Sequence, residues 1–244
     1  MRYEMRLAGS GGQGLVLAGI VLPEPNSAGV NYNFGERPPE GGSVGAGQTA
    51  TIGFWQNKNG QALIRSLPVF VNEEGPITSV ANWLADTFDN MYGVDASQNN
   101  LAGMTNDQVA AFYSALFRRK QQEAKALGLG GPTKMDAQVM AVALACYVTN
   151  ENLAGTVAMG YGFLVTEDGV GTATWNVGSA GQAFGVANNT SLAVLDLLFG
   201  TNDQSVSGRL YDMDHDGDAS DNWETLLRTL ANDVYSAINE RGAI

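Results

Sequence analysis

Residues 139 to 148 read VMAVALACYV, a run that is apolar on most of its sides when wound as a helix. A helix with no polar face to show to water must be surrounded by other elements, so the rest of the fold has to be built around it. With 244 residues and 44% hydrophobic content the chain can supply that surrounding layer and bury a real core.

Several amphipathic helices are available for the layer. Val80, Trp83, Leu84, Phe88 and Met91 recur at helical spacing. Thr105 to Gln108 has the form of a capping box, and Val109, Phe112, Tyr113, Leu116 and Phe117 then fill one face. Gly128 and Gly130-Gly131-Pro132 end that pattern, and Thr133 to Asp136 resembles another helix start. Helix is expected again at Leu192, Val194, Leu195, Leu198 and Phe199. A last one runs from Asp221 with Trp223, Leu227, Leu230, Val234 and Ile238 on one stripe. Between them, Phe163, Val165, Thr172, Thr174, Trp175 and Val177 favour extended chain about a turn at Glu167-Asp168-Gly169, which predicts a β-hairpin. The expected fold is mainly α, an irregular helical domain with a small β-hairpin.

Residues 1–22 form a Gly-rich N-terminal segment. Residues 23–48 are rich in Gly, Pro, Ser and Asn and read as a linker, so the helical module is expected over 49–244. The stretch Gly14 to Leu22 is short and Gly-interrupted, and Pro23-Glu24-Pro25 is a poor cleavage context, so a signal peptide is not expected there. No apolar run reaches the length of a membrane span.

The 25 acidic against 13 basic residues give a net charge of −12, which argues against a nucleic-acid or anionic-membrane partner. The cluster Arg118-Arg119-Lys120 comes late in a helical pattern, where it favours the negative end of the helix dipole. Cys146 is the one cysteine, so the chain holds no internal disulfide and no four-thiolate zinc site, and its apolar setting reads as a small buried hydrophobe. The lone His215 sits among carboxylates, so serine-hydrolase chemistry is not expected.

The most specific chemistry lies at Asp212-Met213-Asp214-His215-Asp216-Gly217-Asp218-Ala219-Ser220-Asp221-Asn222-Trp223-Glu224. Carboxylates at alternate positions turn inward around one point, and the Gly lets the chain bend sharply, as an EF-hand or dockerin-like acidic loop requires. Asp212, Asp214 and Asp216 take the first, third and fifth places with Gly217 sixth. Asp218 offers its backbone carbonyl at the seventh and Ser220 stands at the ninth. The twelfth place holds Trp223, with Glu224 one residue late, and the eighth holds Ala219 where a larger apolar residue would pin the loop. Glu224 has two readings: a slightly longer loop brings it to the ion, or it pairs with Asp221 in a capping box on the last helix. So many carboxylates repel one another without a cation, so the expected cofactor is a structural Ca²⁺.

Two weaker sites complete the set. Trp55 beside Asn57 and Asn59 combines a ring face with amides, as sugar sites do; alternatively Phe54 and Trp55 anchor the core while Asn57, Asn59 and Gly60 turn into a helix from Ala62 to Leu67. Gly9, Gly11, Gly12 and Gly14 follow the strand-like Tyr3 to Leu7 and precede an apolar stretch, an arrangement able to cradle phosphate.

Met1 to Leu22, with its RLAGSGGQG run, resembles the opening of the gamma subunit of 2-oxoacid:ferredoxin oxidoreductases. Asn31-Tyr32-Asn33-Phe34-Gly35-Glu36 resembles the closing strand of Cna-B-like (SdrD B-like) repeats of bacterial surface proteins. From Gln48 to Ile244 the chain resembles an uncharacterised module of large exported bacterial proteins. The segments carrying that likeness are Thr49 to Ile64, Asn99 to Gly103, Phe184 to Thr190 and Ala231 to Asn239. The likeness implies a secreted or cell-surface setting beside neighbouring domains, and it brings no catalytic residues. The expectation is therefore a non-enzymatic calcium-binding module, used for adhesion to cell-surface or matrix components or as a spacer. The alternatives are an oxidoreductase subunit, resting on residues 1–22, and a carbohydrate-binding module centred on Trp55.

Overall fold

A computed structural model describes residues 42–70 and 79–244. The helices are α1 (Ile52–Gln56), α2 (Lys58–Ser66), α3 (Val80–Thr87), α4 (Asp89–Tyr92), α5 (Asn106–Arg118), α6 (Gln121–Ala126), α7 (Met135–Thr149), α8 (Glu151–Ala154), α9 (Val194–Asp203) and α10 (Asn222–Arg241). Two small antiparallel pairs accompany them, β1 (Thr174–Asn176) with β2 (Ser191–Ala193) and β3 (Ser205–Val206) with β4 (Arg209–Leu210). The protein is thus mainly helical with a small β element, and none of the described helices is long and apolar enough to cross a membrane.

Helix α7 is the centre. Every residue from Met135 to Thr149 is buried, and α10, α9, α5, α1 and α3 pack around it. Its alanines at 137, 141, 143 and 145 let neighbouring backbones come close, while Val139, Met140, Val142 and Leu144 fill the gaps. The polar groups that burial brings in are largely matched. Asp136 pairs with Arg119 and, at 3.1 Å, with Arg228 of α10. The Gln138 Oε1 accepts from Asn239 Nδ2 at 2.7 Å, and Thr149 donates to the Ala145 carbonyl at 2.7 Å.

Around this axis, α1 and α2 meet at a sharp corner that requires Gly60: a Cβ there would lie 2.2 Å from the Phe54 carbonyl oxygen. The Thr105–Gln108 capping box forms as expected at the start of α5. Helix α7 begins at Met135, but no side chain caps it, so the expected start at Thr133 is not a capping motif. Residues 42–48, read as the end of a linker, lie on the helical body: Val44 is core, and its N–H donates to the Thr174 carbonyl. Thr49 joins the two ends of the module, donating its N–H to Gly242 and its hydroxyl to the Ile238 and Asn239 carbonyls.

The expected hairpin is corrected in its placement. Residues 163–165 form no strand, and β1 pairs instead with β2, Trp175 opposite Leu192. A run of 3-10 helix (Gly178–Phe184) occupies the space between the strands. Asn176 fixes the register by donating to the Asn189 carbonyl at 2.8 Å, and Asn189 itself takes a positive φ of 62°. Three-residue strands are too short to show an alternation that identifies a partner.

Candidate metal centre

Helix α10 determines which carboxylate faces the acidic loop. Its buried stripe runs Glu224, Leu227, Arg228, Ala231, Val234, Tyr235, Ile238 and Asn239, at spacings of three and four residues. Glu224 therefore lies on the inward face. Trp223, expected on that stripe, is 44% exposed. Asp221 is the N-cap residue but its side chain caps nothing, and Glu224 Oε1 accepts instead from the Met213 N–H at 2.8 Å. The capping-box reading of Glu224 is thereby corrected. The side chain turns into the loop.

The loop itself is wound by its own carboxylates. Asp214 accepts from the Asp216 N–H, Asp216 from the Asp218 N–H at 2.7 Å, and Asp218 from the Ser220 N–H at 2.9 Å. His215 and Gly217 take positive φ values of 64° and 85°. These turns bring one oxygen each of Asp212, Asp214 and Asp216 within 4.8 Å of one another. Asp212 is 1% exposed and Glu224 0%, whereas Asp214, Asp216 and Asp218 stand in solvent. The Asp218 and Glu224 side chains both lie outside the three-carboxylate group, Asp218 accepting from the Ser220 N–H and Glu224 from the Met213 N–H.

Two buried oxygens, Asp212 Oδ1 and Glu224 Oε2, have no hydrogen-bond partner. Leaving such acceptors unpaired costs on the order of 1–3 kcal/mol each, more when charged. Burial pushes both carboxyl groups above the usual carboxylate range. For Asp212 the Arg209 guanidinium pulls back down, Asp216 and Asp214 push up, and the Gly217 N–H again lowers it. For Glu224 the Met213 N–H lowers, the Asp214 and Asp212 charges raise, and the Asp214 N–H again lowers it. A divalent cation would offset these raising causes together, because it would supply both the missing partner and the missing charge.

Sequence reasoning missed Arg209. It reaches the loop from β4 while its Nε donates to the Leu127 carbonyl at 3.3 Å, and nothing in its sequence surroundings marks it. The loop's attachment was also hidden. Ala219, 0% exposed, forms a bridge with Leu129: its N–H donates to Gly128 and its carbonyl accepts from Gly130. A larger residue is unnecessary at 219 because the 128–131 segment lies directly against it. A Cβ on Gly130 would come 2.9 Å from the Ala219 carbonyl oxygen and 2.0 Å from Thr225 Oγ1.

The other expected sites fare differently. Trp55 is completely buried, in a cluster with Phe54 and Phe163 at ring separations of 5.4 and 5.6 Å, so it has no face for a sugar. Asn57 caps α2, its Oδ1 accepting from the Asn59 and Gly60 N–H groups. Asn59 contributes that N–H and an exposed side chain. Core and turn are the roles of this patch. Gly9, Gly11, Gly12 and Gly14, and the strand-like 31–36, lie outside the described residues. Cys146 is buried beside α9 and its thiol is pushed up to about 12, far from thiolate chemistry.

No protein-family model, curated protein or solved structure matches the chain.

Proposed function

We propose that this chain is a non-enzymatic, calcium-binding module of a secreted or cell-surface bacterial protein, serving adhesion or spacing between neighbouring domains. The observation that carries the calcium reading is the pair of unpartnered buried oxygens, Asp212 Oδ1 and Glu224 Oε2, beside a group of three convergent carboxylates. Asp212, Asp214 and Asp216 side chains, the Asp218 carbonyl and Glu224 would hold the ion. Oxygen ligands alone favour a hard cation, and an irregular loop of this kind suits Ca²⁺ better than the strict octahedron of Mg²⁺. With Glu224 Oε1 held by Met213, only Oε2 is available to the ion. One fewer carboxylate contact places the affinity at the weak end of such loops, roughly 10⁻⁴ to 10⁻³ M, which suits extracellular calcium. The likeness of residues 48–244 to modules of exported proteins points to the same compartment.

The role of the ion is structural. It ties the loop to the first turn of α10 and, through Ala219, to the 128–131 segment that precedes α7. Calorimetric titration of chelator-treated protein tests this, with melting curves for the wild type and Asp214→Ala. At a hundredfold excess over Kd, calcium should stabilise the wild type by about 2.7 kcal/mol. Asp214→Ala should lose most of that increment. Identical melting temperatures with and without the ion would end the proposal.

A further inference from the structure

The chain is strongly acidic, yet three of its 13 basic residues converge on one open cleft. Lys58 and Arg65 of α2 face Arg118 of α5 across a volume of about 510 Å³, and no carboxylate among the described residues lines it. Ala111 and Ala115 form a shallow floor between them. Asp107 pairs with Arg65 at 2.9 Å and fixes the guanidinium while offsetting its charge. The positive potential therefore rests on Lys58 and Arg118, which make no ion pair among the described residues. Arg118 was expected only to complement the dipole of α5, and its convergence with Lys58 depends on how α2 packs on α5.

Of the remaining polar groups, Gln61 is committed to the Trp55 carbonyl and to Arg65, and the others are available for a ligand. The Gln56 amide and the Ser114 hydroxyl have no hydrogen-bond partner among the described residues. Asn57 uses Oδ1 to cap α2, which leaves its NH₂ donors uncommitted. The Asn59 and Gly60 N–H groups of α2 are already taken by that cap, so side chains define the recognition. Amide and hydroxyl groups pair with hydroxyl-rich ligands, and two cations pair with carboxylate or sulfate. The alanine floor offers no deep apolar pocket of the kind that anchors peptide side chains or aromatic ligands. The cleft is open to solvent, so a chain segment of a polymer can reach it.

We propose that the Lys58–Arg118 cleft binds an acidic polysaccharide through its carboxylate or sulfate groups. The site shares no residue with the acidic loop and stands whether or not the loop holds calcium.

Affinity electrophoresis tests it directly. Gels contain hyaluronan (carboxylate only), dextran sulfate (sulfate only), neutral dextran or poly-L-glutamate. One or both acidic polysaccharides should retard the wild type, which identifies the anion, while dextran should not. Arg118→Glu should weaken retardation about tenfold, the loss expected for one charge-assisted contact. Lys125→Glu, the same charge change at an exposed site outside the cleft, should leave it unaltered. Asp214→Ala should also retain binding, which separates this site from the loop. Equal retardation by poly-L-glutamate, equal losses in Arg118→Glu and Lys125→Glu, or no retardation by either acidic polysaccharide would overturn the assignment.

Discussion

Helix α7 and the 212–224 loop hold polar chain in place by opposite means. In α7 every residue is buried, and its charged group, Asp136, meets two guanidinium groups. In the loop two buried carboxylates each retain an oxygen with no partner, beside further negative charge. The first region has its charge matched within the protein, although the Tyr147 hydroxyl is buried without a partner among the described residues, and it answers to packing. The second is arranged for something added, so its stability follows the ionic composition of the solvent. Buried charge is therefore informative only together with an account of what neutralises it.

The variant that tests this contrast most severely is Asp136→Ala, because Asp136 belongs to both halves of it. Its removal leaves Arg228, 1% exposed, with a buried charge unmatched, a loss of about 3–5 kcal/mol. Arg228 also donates to the Gly130 and Leu210 carbonyls at 2.7 Å each. Gly130 bonds the loop through Ala219, and Leu210 leads into Asp212. Urea denaturation should show the stability loss and calorimetry a parallel loss of calcium affinity. Unchanged affinity in a folded variant would show that the two regions are independent.

Leu144→Ala sharpens the contrast from the other side. Leu144 is fully buried in α7 and its apolar side chain offers nothing to an ion, so truncation should cost about 2–5 kcal/mol. The shift in urea midpoint should be the same in calcium and in chelator. A loss that depends on the ion would mean that the core around α7 is itself assembled by the loop.

How far each region could be read from sequence follows from the range of its interactions. An apolar decapeptide and alternating aspartates are local patterns, so the central helix and the convergence of Asp212, Asp214 and Asp216 were both legible. Glu224 was ambiguous because one residue faces either a cap or a loop, and only the stripe through Leu227, Ala231 and Val234 decides. Arg228 and Asp136 join segments 92 residues apart, and no local pattern marks such a pair. The partner of β1 was misassigned for the same reason, since its register is set by Asn176 and Asn189 across an intervening 3-10 segment. The Lys58–Arg118 cleft was invisible, because it exists only once α2 lies against α5.

The smallest expected effect lies away from both regions and calibrates them. Asn57 Oδ1 accepts from the Asn59 and Gly60 N–H groups at 2.8 and 3.1 Å. Asn57→Ala removes that cap at an exposed helix end, where water takes over much of the hydrogen bonding, and the loss should be about 1 kcal/mol. Asn57→Ser, which can accept the same bonds, should restore most of it. Because this cap touches neither α7 nor the loop, its urea midpoint shift should be the same with calcium and with chelator. A calcium-dependent loss at Asn57 would show that ionic stabilisation spreads through the whole module, and the division between a self-sufficient core and an ion-dependent loop would fail.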